Sequence, residues 1–126
     1  MSQQLDELLN KWEGTYKKGL LSFWILLLLS QRKAYPYEIK DEIAVLSQQT
    51  ISADENSIYR ALKRLSQSGV VESEIHPSET GPNRRYFFLT ELGQELLNRF
   101  IARNILIFQK PEISELIQTT LRKIKE

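Results

Sequence analysis

The chain has 126 residues, of which 41% are hydrophobic and 26% charged, so it is long enough for one hydrophobic core and too short for two. Lysine and arginine number 17 against 16 aspartate and glutamate, and this balance excludes a disordered acidic tail or a polybasic arm. Cysteine is absent, which excludes disulfides, thiolate catalysis and cysteine-based metal sites and favours a reducing, cytoplasmic location. A net charge of +1 does not indicate a nucleic-acid partner, so that inference depends on where the charges lie.

The N-terminal third contains two stretches of helical character. Apolar residues recur at spacings of three and four up to Lys18, which predicts an amphipathic helix: Leu5, Leu8, Leu9, Trp12, Tyr16. Residues 20–30 are apolar on nearly every side, which predicts a helix at the centre of the molecule. The longest apolar run, residues 19–29, is well short of the roughly 20 residues that cross a bilayer. The polar, amphipathic N-terminal segment is unlike a secretory signal, so we expect that it is not cleaved from the chain.

Two further helices are predicted between residue 36 and Gly69. Pro36 suits the first turn of a helix over residues 36–48, with three residues facing inward: Ile39, Ile43, Leu46. Ser52 or Asp54 can cap the next helix, which continues to a stop at Gly69.

The period then changes from helix to strand. Residues 70–76 and 84–90 are rich in β-branched and aromatic side chains, and residues 77–83 contain two prolines and a glycine, which predicts a hairpin with a long loop. Thr90 can cap a last helix from Glu91 that is interrupted at Pro111. This order predicts a mostly helical α+β fold, a winged helix-turn-helix over residues 19–90, flanked by an N-terminal helix (1–18) and a C-terminal helix (91–126).

The predicted helix over residues 54–68 has two chemically different faces. At 100° per residue, Ile58, Ala61, Leu62 and Leu65 share one side. The opposite side carries cations and amides, the groups that bind phosphates and base edges: Asn56, Arg60, Lys63, Arg64, Gln67. The hairpin adds a second polar, basic cluster: Asn83, Arg84, Arg85. A solvated helix face would explain the same letters about as well on composition alone, and Glu72, Glu74 and Glu79 oppose DNA contact.

Three motifs occur in order between Lys18 and Leu97: KGLLSFWILLLLSQRKAYPYEI, NSIYRALKRLSQSGVVESE and GPNRRYFFLTELGQELL. Together they resemble the PadR family of winged-helix transcriptional regulators. The resemblance implies a homodimer that binds an inverted-repeat operator in double-stranded DNA, usually as a repressor. It would place helix 54–68 in the major groove and the wing, residues 77–85, on the adjacent backbone or minor groove. The arrangement is also similar to a short, cyanobacterial clock-associated branch, the Pex-like proteins, which would imply a circadian role.

The resemblance extends to individual side chains. It adds Ser57 and Tyr59 to the DNA-binding set, because Tyr59 matches the family's tyrosine in the recognition helix. Tyr37 matches a second tyrosine, and either ring can give a hydroxyl to a phosphate or pack in the turn, with packing favoured for Tyr37. The sequence departs from the family at three positions, with proline for glycine, arginine for proline and phenylalanine for tyrosine: Pro36, Arg60, Phe87. Some members bind a small aromatic effector in the dimer interior, so Trp12, Trp24, Phe100 and Phe108 were considered for that role, although aromatic residues at helical spacing are usually core.

Apolar stripes at both ends of the chain exceed what one small core can cover, which predicts dimerisation. The residues of these stripes are Leu92, Leu96, Phe100, Ile113, Leu116, Ile117, Leu121 and Ile124, with Leu5, Leu8 and Trp12.

Other chemistry has few candidates. His76 shares a strand face with Glu72 and Glu74, but a charged surface strand explains these letters better than a metal site. The sequence has no glycine-rich phosphate loop and no nucleophile elbow, so we expect neither an enzyme nor a cofactor. The alternative function is a winged helix that docks a protein partner and has no DNA specificity.

Overall fold

The computed structural model describes the backbone of residues 2–125 and the side chains of residues 2–123. Three helices precede a two-stranded hairpin, and two helices follow it, which confirms a mostly helical winged helix. The elements are α1 Ser2–Leu29, α2 Pro36–Leu46, α3 Glu55–Gln67, β1 Val71–His76, β2 Arg84–Leu89, α4 Glu91–Phe100 and α5 Pro111–Lys125. No helix among the described residues is both long and apolar enough to cross a bilayer.

Helix α1 joins the two N-terminal stretches into one continuous rod of 28 residues. Its C-terminal part enters the core, where four side chains are buried: Ile25, Leu26, Leu28, Leu29. Its N-terminal part is exposed, and the Trp12 side chain keeps 75% of its surface accessible. The spacing predicted Trp24 as a core residue, but its side chain is only half-buried. One helix therefore supplies both a core segment and an uncovered apolar stripe.

Helix α2 is two residues shorter than predicted. Ile39 and Ile43 are buried as expected, but the prediction that Leu46 faces inward is wrong, because its side chain is 54% exposed. The helix ends at Leu46, and the chain reverses through Gln48 and Gln49, which have φ of 54° and 67°. Leu46 is the last residue of α2, and the helical period alone does not show how far along the helix the core extends.

Helix α3 is closed at both ends by local hydrogen bonds. The Asp54 carboxylate accepts a bond from the Ser57 amide at 2.7 Å, so Asp54 is the N-cap. At the other end the Val70 amide donates to the Leu65 carbonyl and the Gly69 amide to the Ser66 carbonyl, the two bonds of a Schellman motif. Gly69 has φ of 79°, which glycine adopts without strain.

Strands β1 and β2 pair in antiparallel register from Val71 opposite Leu89 to His76 opposite Arg84. Ala34, just before α2, adds a short third segment by exchanging both backbone hydrogen bonds with Phe87, at 2.8 and 3.1 Å. The sequence had indicated only a connection there. Because alternate residues point to opposite faces, Val71 and Phe87 enter the core while Glu74 and Tyr86 lie on the other face.

The start of α4 is fixed against the end of α3 by the junction of residues 69–70 with residues 90–93. The Thr90 hydroxyl donates to the Gly69 carbonyl at 2.7 Å and accepts from the Gly93 amide at 3.1 Å, so Thr90 caps α4 as predicted. The Thr90 amide donates to the Val70 carbonyl. Gly93 is buried so close to this carbonyl that a Cβ atom would overlap the Val70 oxygen.

Residues 95–125 belong to a second compact unit, distinct from residues 2–94. The α-helical pattern ends at Phe100, eleven residues before Pro111, where an interruption was predicted. A π-type segment, Ile101–Ile105, and a 3-10 segment, Leu106–Gln109, follow, and Pro111 is the first residue of α5.

Most of the side chains predicted for the dimer contact are exposed. These are Leu92, Leu96, Leu116, Ile117, Leu121, Leu5, Leu8 and Trp12. Phe100 and Ile113 are half-buried, and the side chain of Ile124 lies outside the described residues. Phe108, considered for an effector site, is exposed as well.

The Gly93 junction gives a first prediction. Gly93→Ala should lower the free energy of unfolding by about 2 kcal/mol or more, because the new methyl group overlaps the Val70 carbonyl and neither backbone can move freely. Gly19→Ala, in α1, is the matched control, since its Cβ would meet no described atom within 4 Å. That control should raise stability by about 0.5–1 kcal/mol. Urea denaturation of both variants measures the difference, and equal effects would contradict the tight junction.

The N-cap gives a second prediction. The Ser57 amide, aided by the Ser57 hydroxyl and by the charges of Arg60 and Lys40, holds the pKa of the Asp54 carboxyl below its ordinary value. A lowered pKa means that the cap stabilises the fold above the unfolded-state pKa, about 3.9, and that this stabilisation is lost as pH falls through the folded-state value. Asp54→Ala should therefore lower Tm by a few degrees at pH 7 and by less below pH 4.

Asp54→Asn is the control for this experiment, because asparagine also caps helices and carries no charge. It should stay close to the parent at pH 7. If Asp54→Ala melts with the parent at every pH from 7 to 3, the cap contributes nothing to stability. Thermal unfolding followed by circular dichroism at each pH makes the measurement.

Candidate nucleic-acid interface

The two faces of α3 are separated as the helical wheel predicts. Ile58, Ala61 and Leu62 keep at most 1% of their surface accessible, and Leu65 is half-buried. The predicted outer residues all reach solvent except Ser57, which is half-buried: Asn56, Tyr59, Arg60, Lys63, Arg64, Gln67. The buried side holds the helix in place, and the free side presents cations and amide groups together.

A groove of about 460 Å³ lies between α3 and the hairpin. Leu62 and Phe87 provide its apolar floor, and its other lining residues are polar or charged: Tyr59, Arg60, Lys63, Ser66, Ser73, Arg85. The Arg85 guanidinium donates to the Ser73 hydroxyl at 2.9 Å, so this side chain is held across the sheet on the side of α3. The structure thus brings one hairpin arginine next to the cations of the helix.

Arg84 lies on the opposite face of the hairpin. Its guanidinium carbon is 4.5 Å from the centre of the Tyr35 ring, and Tyr35 packs edge-on against Tyr86. The position of Arg84 therefore differs from that of Arg85 although the two are adjacent in sequence. Asn83 is exposed at the end of the loop, beside the start of β2.

The start of α3 carries two carboxylates, Asp54 and Glu55, and cations lie near the first of them. Arg60 donates to the Ser57 hydroxyl at 3.3 Å, which turns its guanidinium toward the start of the helix. The hydrogen bonds from Ser57 lower the pKa of Asp54 most, and the charges of Arg60 and of Lys40, on α2, lower it further. Among the described residues neither Arg60 nor Lys40 forms an ion pair with Asp54, whose carboxylate accepts from the Ser57 amide.

Tyr37 and Tyr59 are each 54% exposed, so neither ring is enclosed by the turn. This contradicts the interpretation that Tyr37 is a packing residue. Its ring is 5.7 Å from the Lys40 ammonium, which places a hydroxyl-bearing ring and a cation side by side on α2. Sequence analysis did not single out Lys40, although its position three residues after Tyr37 put both on one helix face.

The His76 side chain belongs to a polar cluster on the other face of the hairpin. Glu74 lies 2.8 Å from both the Lys33 ammonium and His76 Nε2, and hydrogen bonds from Lys33 and His76 lower the pKa of Glu74. His76 also lies against the Tyr86 ring, with 4.5 Å between centres. Within residues 2–123 no group of three metal-ligating side chains comes together.

Comparison with known proteins agrees with this geometry. The sequence model of the transcriptional regulator PadR-like family matches residues 25–99, which span α1 to α4. An uncharacterised protein of Lysinibacillus sphaericus is 29% identical over 84 residues, covering 67% of this chain and 77% of that protein.

Several solved structures share the fold. A PadR-like transcription factor from Bacteroides fragilis superposes with a TM-score of 0.61 at 27% identity, covering 89% of this chain and 97% of the other. Bacillus subtilis PadR, solved in complex with operator DNA, gives a TM-score of 0.63 at 26% identity over 68% of this chain, which spans 48% of that protein's length. A family member from Eggerthella lenta gives 0.70 at 23% identity over 93% and 98% of the two chains, a likeness of fold. The chain belongs to the transcriptional regulator PadR-like family.

Proposed function

We propose that this chain is a homodimeric, sequence-specific DNA-binding repressor that places α3 in the major groove. The observation that carries the proposal is the exposed face of α3, where Arg60 and Lys63 stand beside the amides of Asn56 and Gln67. Arginine and lysine pair with guanine acceptors or phosphates, and asparagine and glutamine pair with adenine. The major groove, about 12 Å wide, accepts a helix with such a face.

The hairpin supplies the second contact. Arg85 borders the same groove as α3, so it can reach a backbone beside the base pairs that α3 contacts. The loop over residues 77–83 is exposed apart from the half-buried Ser78 and extends beyond the strands, which suits the adjacent backbone or minor groove. Arg84 stacks on Tyr35 on the other face, so we assign it a smaller share of the binding.

Dimerisation follows from the uncovered apolar side chains. On α5, Leu116, Ile117 and Leu121 form an apolar surface patch, and the stripe on the first half of α1 is equally open. Exposed apolar surface of this kind marks association, and a two-fold dimer presents two recognition helices to two half-sites. Bacillus subtilis PadR was solved on operator DNA, which supports a DNA-binding, regulatory role for this chain.

The proposal is tested by selecting genomic DNA with the purified protein at physiological salt and measuring anisotropy on the enriched fragment. We expect an inverted repeat with half-sites about one helical turn apart. Arg60→Ala and Lys63→Ala should weaken binding by about 1–3 kcal/mol each, as loss of groove contacts does. Arg85→Ala should cost more affinity than its control, Arg84→Ala, because only Arg85 borders the α3 groove.

Two results would contradict the DNA-binding proposal. One is that no fragment is enriched and none binds even at low salt, and the other is that all four variants bind the selected fragment as tightly as the parent. Recovery of a protein partner in the first case would favour the docking module instead. Unchanged thermal unfolding of the variants confirms that they remain folded.

Leu121→Glu tests the dimer. A charge in the exposed apolar patch of α5 should shift the protein from dimer to monomer at micromolar concentration, because a buried unpaired carboxylate is costly. Thr119→Glu, about 160° around the same helix from Leu121 and outside the apolar patch, adds an equal charge and should leave the dimer intact. Sedimentation velocity distinguishes the two. A parent protein that is already monomeric would refute the dimer.

A further inference from the structure

A second cleft, of about 420 Å³, lies on the other flank of α3, between α1 and the segment that leads into α3. Its α1 wall is formed by Gly14, Lys17, Lys18 and Leu21, and its other wall by residues 50–54 with Ser57. All these residues belong to the first compact unit. Residues 1–18 were predicted to contact the dimer partner, and no DNA contact was predicted for Lys17 or Lys18.

The cleft has two lysines, and one of them is available to bind an anionic ligand. Lys17 is paired with Glu13 at 2.7 Å. Lys18 is exposed and has no ion-pair partner among the described side chains. Asp54, the carboxylate in the lining, is directed to the Ser57 amide. The exposed Ser52 hydroxyl is also in the lining. An ammonium and a hydroxyl that line one cleft suit a phosphate.

The cleft is continuous with the exposed face of α3. Ser57 lines the cleft and accepts the hydrogen bond from Arg60, which in turn lines the groove on the hairpin side. Arg64 is seven residues beyond Ser57, about 20° away around the helix, so the flank toward α1 carries a second arginine. Cations therefore line both flanks of α3, with Arg60 and Arg85 at the hairpin groove and Lys18 at the α1 cleft.

We propose that the DNA interface extends past the recognition helix onto α1, with the Lys18 ammonium contacting a backbone phosphate and the Ser52 hydroxyl beside it. This inference rests on the proposed function. A lysine contact to phosphate fixes the position of the protein on the duplex and does not read bases. Lys18 therefore contributes equally to binding of operator and of unrelated DNA, in contrast to Lys63 on the outer face of α3.

The experiment measures binding of two duplexes over a range of salt: the fragment enriched by selection and a random-sequence duplex of equal length. Lys18→Gln removes the charge and keeps a good helix former. For each lost phosphate contact, the slope of log K against log salt should fall by about 0.9, and affinity at 0.15 M salt should fall about fivefold. The factor should be the same on both duplexes.

Lys11→Gln is the matched control. Lys11 is exposed on the same helix, seven residues before Lys18 and so on nearly the same side, but it does not line the cleft. We expect its salt slope to equal that of the parent. Far-UV circular dichroism shows that both variants keep their helices.

The outcomes separate the two proposals. If the parent binds and Lys18→Gln has the same slope as Lys11→Gln, the α1 contact is refuted and the proposed function stands. A loss confined to the selected fragment would also refute it, because the lysine would then be reading bases. Phosphate contacts are strongest at low salt, about 0.05 M. If the parent binds neither duplex there, the proposed function itself fails.

Discussion

The burial of one face of α3 is the constraint on which the other features depend. Ile58 and Leu62 are almost fully enclosed, and each contributes roughly 1.5–3 kcal/mol by leaving water. A rotation of the helix by one residue, 100°, would expose these groups and push charged ones against the core. The rotational setting of α3 is therefore fixed by its apolar residues, and the direction in which Arg60 and Lys63 point is fixed with it.

Hydrogen bonds at the two ends of α3 fix where the helix begins and ends along its axis. Asp54 closes the first turn, and the Schellman bonds at Gly69 close the last. The chain then passes through Val70 into the sheet. Gly93 packs against the backbone carbonyl of the same Val70. The hairpin and the first turn of α4 are thus tied to the end of the helix that carries the proposed recognition face.

Features that depend on local sequence were predictable. The caps at Asp54 and Thr90, the stop at Gly69 and the two strands each follow from residues within a few positions of one another, and the structure confirms them. The split of α3 into an apolar and a polar face was predictable for the same reason. The DNA contacts and the dimer contact themselves stay predictions, since they require partners.

Features that depend on distant parts of the chain were not predictable in the same way. No residue near Ala34 indicates that it pairs with Phe87, more than fifty residues later. The outward position of Leu46 follows from where α2 stops, and helix ends are poorly marked in sequence. The separation of Arg84 from Arg85 did have a signal, since neighbouring strand residues face opposite ways and Phe87, two residues after Arg85, is apolar.

The turn between α2 and α3 has a consequence for binding entropy. It contains no glycine, although Gln48 and Gln49 both adopt positive φ, and backbone hydrogen bonds from Gln48, Gln49 and Thr50 hold it. The Ser47 hydroxyl also accepts from the Ile51 amide at 3.0 Å. A turn built this way leaves the angle between the two helices little freedom before any ligand arrives. A partner of α3 would therefore meet a surface already ordered, and more of the contact energy would remain as affinity.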